Sequence, residues 1–123
     1  MIIESKRGKG TDPVCVYKIE EIAERVRPIA EKYNIDKVYL FGSYARGEAT
    51  EESDVDLRID YTELVFKSLF GYGGLFADMD DALGKSVDIV STNALREKIK
   101  DPLTRRFVKA MKREEKLIYE RAV

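Results

Sequence analysis

Apolar positions along this chain change period several times, and each change marks an element. From Tyr17 to Tyr33, Ile19, Ile22, Val26, Ile29, Ala30 and Tyr33 recur three or four apart, while Glu20, Glu21, Glu24, Arg25, Glu31 and Lys32 fall largely outside that stripe. This is the pattern of an amphipathic helix that packs on a sheet. Pro28 lies inside it and is expected to kink or restart the helix, because proline removes a hydrogen bond and crowds the preceding turn. Asn34 supplies the stop. A first strand is predicted at residues 36–41, where Val38-Tyr39-Leu40-Phe41 is a short apolar and aromatic run.

From Ser53 to Asp60 the chain alternates strictly. Val55, Leu57 and Ile59 share one face, and Asp54, Asp56, Arg58 and Asp60 share the other, which predicts a half-buried strand. Ser86-Val87-Asp88-Ile89-Val90 alternates in the same way, with Asp88 opposite to Val87 and Ile89. Between them Leu64, Phe66, Leu69 and Phe70 are apolar without clear period, and Gly71-Tyr72-Gly73-Gly74 reads as a flexible turn. Leu75, Phe76, Met79, Ala82 and Leu83 then restore helical spacing, with Asp78, Asp80 and Asp81 on the wet side and Gly84 ending the helix. Asp101-Pro102 is an N-cap followed by a first-turn proline. In the helix they open, Leu103, Phe107, Ala110 and Met111 mark the expected buried stripe, and Arg105, Arg106, Lys109, Lys112 and Arg113 make much of the rest basic. Leu117-Ile118-Tyr119 adds a short last strand. The whole predicts an α/β (α+β) domain over residues 17–123, with a mixed sheet, helices on one face and an acidic cleft on the other. Residues 1–16, with Lys6-Arg7-Gly8-Lys9-Gly10, read as an N-terminal arm in which Cys15 packs as a small hydrophobe.

Composition narrows the chemistry. The chain has 123 residues, 44% hydrophobic and 37% charged, which is one domain with a modest core and a heavily charged surface. With 22 basic and 23 acidic residues the net charge is −1, so no global field draws it to nucleic acid, and direct nucleic-acid binding is not favoured. A single cysteine excludes an internal disulfide, and the absence of histidine removes zinc sites and any histidine base. No long apolar run or signal-peptide pattern is present, so a cytoplasmic protein without membrane association is expected.

Two stretches carry candidate chemistry. Gly42 lets the chain turn sharply after the first strand, and Ser43 is expected to cap a short helix over Tyr44-Ala45-Arg46, the physical recipe for a phosphate site. Ten residues later come Asp54 and Asp56, two apart on one strand face with Cα atoms roughly 6.5–7 Å from each other. Like charges so placed repel, and a hard cation such as Mg²⁺ reverses that penalty. If the strand of Asp88 pairs beside theirs with apolar faces aligned, Asp88 comes within one strand spacing, roughly 4.8 Å. Three carboxylates then meet on the open face, a set suited to two divalent ions or to metal binding combined with a general base. Arg46 reaches a triphosphate oxygen or a nearby carboxylate in one reading and forms a plain surface ion pair in the other.

Leu-Phe-Gly-Ser-Tyr-Ala-Arg-Gly-Glu-Ala, then Ser-Asp-Val-Asp-Leu, then Val-Asp-Ile-Val around Asp88 resembles the polymerase-β-like nucleotidyltransferase superfamily, and within it the minimal nucleotidyltransferase (MNT) branch. The resemblance implies that Gly42 and Ser43, with Arg46, bind the nucleotide phosphates. It further implies that Asp54, Asp56 and Asp88 form the catalytic metal-binding triad, with two Mg²⁺ and ATP as substrate. The reaction implied is transfer of AMP to a hydroxyl. Small members of the branch act as antitoxins of type VII toxin–antitoxin pairs, modifying a tyrosine of a HEPN-type ribonuclease toxin, so a hetero-oligomer with such a toxin is the implied partnership. Two alternatives stay open: an antitoxin that inhibits by occlusion alone, and one subunit of a two-subunit small-molecule nucleotidyltransferase.

Overall fold

The computed structural model describes residues 16–64 and 71–122. The basic stretch at Lys6–Gly10, Cys15, and the apolar residues Phe66, Leu69 and Phe70 lie outside the described residues.

Helix α1 (Ile19–Lys32) buries Ile22, Val26 and Ala30, spaced one turn apart, and carries Glu20 and Glu21 at its positive end and Lys32 at its negative end. Glu21 Oε1 also accepts the Lys18 N–H at 2.8 Å, satisfying a donor before the first turn. Pro28 sits within this helix, which runs on through it. Its missing hydrogen bond would have gone to the carbonyl of Glu24, and both residues are exposed, so water can take the proline's place as donor. Tyr33 caps the helix and Asn34 follows at φ 62°, the left-handed position that asparagine tolerates.

Strands β1 (Lys37–Phe41), β2 (Val55–Asp60), β3 (Val87–Ser91) and β4 (Lys116–Glu120) form one mixed sheet in the order β3-β2-β1-β4. β1 is antiparallel to both β2 and β4, and β2 is parallel to β3. The parallel pair needs a crossover, and helix α3 (Tyr72–Leu83) provides it. This helix starts at Tyr72 with Gly71 as its cap, so Gly73 and Gly74 belong to its first turn and not to a loop, as the sequence had suggested. Of its acidic residues, Asp78 binds Lys32 and Tyr33, each at 2.7 Å, and Asp80 accepts the Val87 N–H at 3.1 Å. The wet side of α3 is therefore partly a set of ties to α1 and β3.

Val38, Leu40, Val55, Leu57 and Ile59 are fully buried on one sheet face against Ile22, Val26, Leu75, Met79 and Leu83 of α1 and α3. The expected helical cover of one sheet face is thus present. A further helix, α5 (Pro102–Glu114), is capped by Asp101 with Pro102 in its first turn and lies against the opposite face, where Val108 and Met111 pack on Phe41. That packing corrects the stripe expected from sequence. Val108 and Met111 are buried, whereas Leu103 is 72% and Phe107 is 45% exposed. The cause is tertiary: α5 meets a narrow apolar strip of Phe41, Val90 and Leu95, and three-residue spacing faces it.

Candidate active site

β1 delivers the chain to Gly42, which turns it at φ 78° and ψ −155°, a region that essentially only glycine occupies. Space makes the same demand. A Cβ on Gly42 would stand 2.2 Å from Asp56 Oδ2, so the turn and the carboxylate of β2 are packed against each other. Gly42 itself is the N-cap of helix α2 (Ser43–Arg46); Ser43 is its first residue and makes no side-chain cap, contrary to the sequence expectation. Serine at that position keeps its hydroxyl for something other than the helix. The first N–H groups of any helix also lack partners within it.

Asp56 lies on β2 beside Phe41 of β1 and pairs directly with Asp88 of β3. The alignment follows from alternation: Val55 pairs with Val87 and Leu57 with Ile89 on the apolar side, which forces the two carboxylates into register on the other. Asp56 is half-buried and Asp88 is exposed. Asp54 precedes β2, is exposed, and stands outside the residues that line the cleft. That cleft, of about 640 Å³, is bounded by Gly42, Ser43 and Arg46 near its acidic floor of Asp56 and Asp88. Its volume suits a drug-sized or nucleotide-sized ligand. Arg46 meets Glu48 at 3.0 Å and Glu114 at 3.2 Å, so it forms ion pairs with neighbouring carboxylates at the cleft wall.

Burial pushes the Asp56 carboxyl up to about 6, helped by the negative charges of Asp88 and Asp54, while Arg46 acts the other way. The acid set therefore carries repulsion that the protein's own cations do not remove. Among the described residues no three carboxylates form a ready-made cage for a metal ion. The donor set still fits a hard divalent cation, since it consists of carboxylate oxygens with one partly desolvated member destabilised by its neighbours.

The same repulsion has a measurable consequence for stability. The folded-state value of Asp56 lies above the ordinary carboxylate value. Between about pH 4 and pH 6 the folded chain thus holds more protons than the unfolded one, and this group's contribution to stability falls as pH rises through that window. Asp56→Asn is expected to be more stable than the wild type by about 1–2 kcal/mol at pH 7, after allowance for solvent screening, and no more stable below about pH 4. Urea unfolding without divalent cations, repeated across that range, checks both the sign and the window.

Sequence reasoning overlooked part of the site. Phe76 of α3 and Phe107 and Glu114 of α5 also line the cleft. Phe76 and Phe107 had been assigned to helix stripes, and only the packing of α5 shows that Phe107 faces elsewhere. Arg58, two residues beyond Asp56, was placed on the open face but is buried, with a salt bridge to Glu115 at 2.7 Å.

Residues 24–122 match the family described as polymerase beta, nucleotidyltransferase, and the chain belongs to that family. Protein adenylyltransferase MntA of Thermococcus cleftensis is 34% identical over 82 residues, which span 67% of this chain and 81% of that protein. The solved structure of a candidate minimal nucleotidyltransferase is 31% identical, with a TM-score of 0.57 over 81% of this chain and 95% of that one. The fold also resembles a chain from a complex of a tri-AMPylated Shewanella oneidensis HEPN toxin with an MNT antitoxin, at 14% identity and a TM-score of 0.55 over 84% of this chain and 73% of that one.

Proposed function

We propose that this protein transfers AMP from ATP to a hydroxyl of a partner protein, a tyrosine of a cognate HEPN-type ribonuclease, and so serves in the cytoplasm as the antitoxin of a type VII toxin–antitoxin pair. Residues 17–123 constitute the catalytic unit in this reading. The observation that carries it is the register of Asp56 with Asp88 on a cleft floor whose rim is Gly42-Ser43. The names of the Thermococcus relative and of the Shewanella complex support the AMP transfer and the toxin partnership, respectively. Among the described residues no helix is long and apolar enough to cross a membrane.

Asp56 and Asp88, with Asp54 at the margin, are the residues that would hold Mg²⁺, two ions in the full complement. Divalent cations held by these residues would supply charge neutralisation at the triphosphate and would make the attacking hydroxyl more acidic. The chain's own groups do the rest. The glycine turn brings backbone close to the phosphates without a Cβ in the way. The Ser43 hydroxyl and backbone N–H groups at the start of α2 donate to the β- and γ-phosphate oxygens and so hold the departing pyrophosphate. Arg46, at the same wall, exchanges a carboxylate partner for phosphate. Asp88, exposed and one strand from Asp56, is placed to accept the proton of the incoming hydroxyl.

The test is co-expression with the protein encoded by the adjacent gene, followed by intact mass spectrometry of that neighbour. Wild-type protein is expected to raise the neighbour's mass by whole AMP units, and Asp56→Ala to leave it unmodified. A neighbour unmodified by either would remove the adenylylation reading.

A further inference from the structure

The cleft lining is chemically mixed. Its polar side chains, Ser43, Arg46, Asp56, Asp88 and Glu114, are all accounted for by phosphate, metal and the ion pair of Arg46. The rest of the lining is apolar, and it includes two aromatic rings from different helices, Phe76 of α3 and Phe107 of α5. Phe107 is the unusual one. A phenylalanine on a helix whose neighbouring positions pack inward would ordinarily pack inward too, yet this ring remains 45% exposed. It is nevertheless held in place. Phe41, buried and adjacent in sequence to Gly42, meets it edge to face with centroids 5.9 Å apart and planes at 80°. That contact ties the ring's position to the phosphate turn itself.

On the nucleotidyl-transfer reading, we infer that Phe107 is the stacking platform for the nucleobase of the bound nucleotide. A nucleoside triphosphate with its phosphates at Gly42-Ser43 must place its base against another part of the same cleft, and the exposed ring of Phe107 is an aromatic surface available to it there. Stacking on its face is the interaction that such a ring offers a base. Two consequences follow. Phe107 contributes to nucleotide affinity without touching the reacting atoms, so it acts on binding more than on turnover. The platform also prefers purines for their larger stacking area while distinguishing adenine from guanine only weakly.

The experiment is calorimetric binding of ATP, in the presence of Mg²⁺ and without any acceptor protein, to wild type, Phe107→Ala and Phe107→Tyr. Inorganic tripolyphosphate serves as a probe of the phosphate end alone. Phe107→Ala is expected to weaken ATP binding about 5- to 100-fold, the range for losing one base–aromatic stack. Phe107→Tyr should stay within about 3-fold of wild type, since it keeps the ring. Tripolyphosphate binding should be the same in all three. A parallel loss of ATP and tripolyphosphate affinity in Phe107→Ala would mean that the ring merely supports the turn through Phe41, and would overturn the inference. Unchanged ATP affinity in Phe107→Ala would overturn it as well, while leaving the nucleotidyltransferase reading intact. A wild-type protein that binds neither probe would bring down both.

Discussion

Asp56→Ala is expected to lower the rate of AMP transfer by at least about 1,000-fold, about 4 kcal/mol of transition-state stabilisation, while the sheet stays folded. The size follows from position. Asp56 is the one carboxylate of the three that combines partial burial with a direct strand partner in Asp88 and a close fit to Gly42. Its loss removes a partly desolvated negative charge at the centre of the cleft, where the interaction with a cation is strongest. The fold should survive, because the buried side of β2 consists of Val55, Leu57 and Ile59, and alanine relieves repulsion instead of adding any. Asp54→Ala should also impair transfer, by acting on the rim of the site. Single-turnover rates with saturating acceptor, alongside far-ultraviolet circular dichroism, check the pair of expectations. Normal turnover by Asp56→Ala would show that the reaction does not pass through this cleft.

The largest expected effect on stability lies one step along the same strand. Arg58 is almost wholly buried. Its Nε donates to Glu115 Oε1 at 3.0 Å and its Nη2 to Oε2 at 2.7 Å, a two-pronged pair in which neither side chain is more than 12% exposed. Its guanidinium also lies 4.0 Å from the centre of the Tyr39 ring and donates to the Thr92 hydroxyl. This cluster joins β1, β2, the start of helix α4 (Thr92–Glu97) and the junction between α5 and β4. Removing the cation alone strands Glu115 as a buried, unpaired charge, so Arg58→Ala is expected to cost about 3–5 kcal/mol in urea unfolding. Arg58→Met combined with Glu115→Leu should recover most of that loss, since no charge then remains uncompensated. Equal destabilisation in the double variant would mean that packing against Tyr39, and not charge pairing, is the source.

Local order explains what could be read from the residues. The alternation through β2 and β3 determined both the buried faces and the meeting of Asp56 with Asp88, because a slip of one residue would have turned Val55, Leu57 and Ile59 to solvent. Asp101-Pro102 and Gly84 marked helix ends for equally local reasons of capping and backbone conformation. What failed was whatever depended on a distant partner. Ser43 is an ordinary N-cap residue, but the close approach of Asp56 moves the cap to Gly42. Gly73 and Gly74 are poor helix formers, yet burial of Leu75, Met79 and Leu83 carries α3 through them. The periodicity of α5 permitted more than one buried stripe, and the narrow strip of Phe41, Val90 and Leu95 chose the one that leaves Phe107 in the cleft. Arg58 could not be seen as buried until Glu115, 57 residues away, was in place.

The central claim is that this cleft moves a nucleotide and not a phosphate. It is tested most directly by incubating the protein and the product of the adjacent gene with Mg²⁺ and ATP labelled either in the α- or in the γ-phosphate. Label from the α position is expected to become attached to the neighbour, that from the γ position to leave as pyrophosphate, and Asp56→Ala to abolish the transfer. Attachment of the γ label would identify a kinase. Tight binding of the two proteins with neither label transferred would contradict enzymatic action and point to inhibition by occlusion.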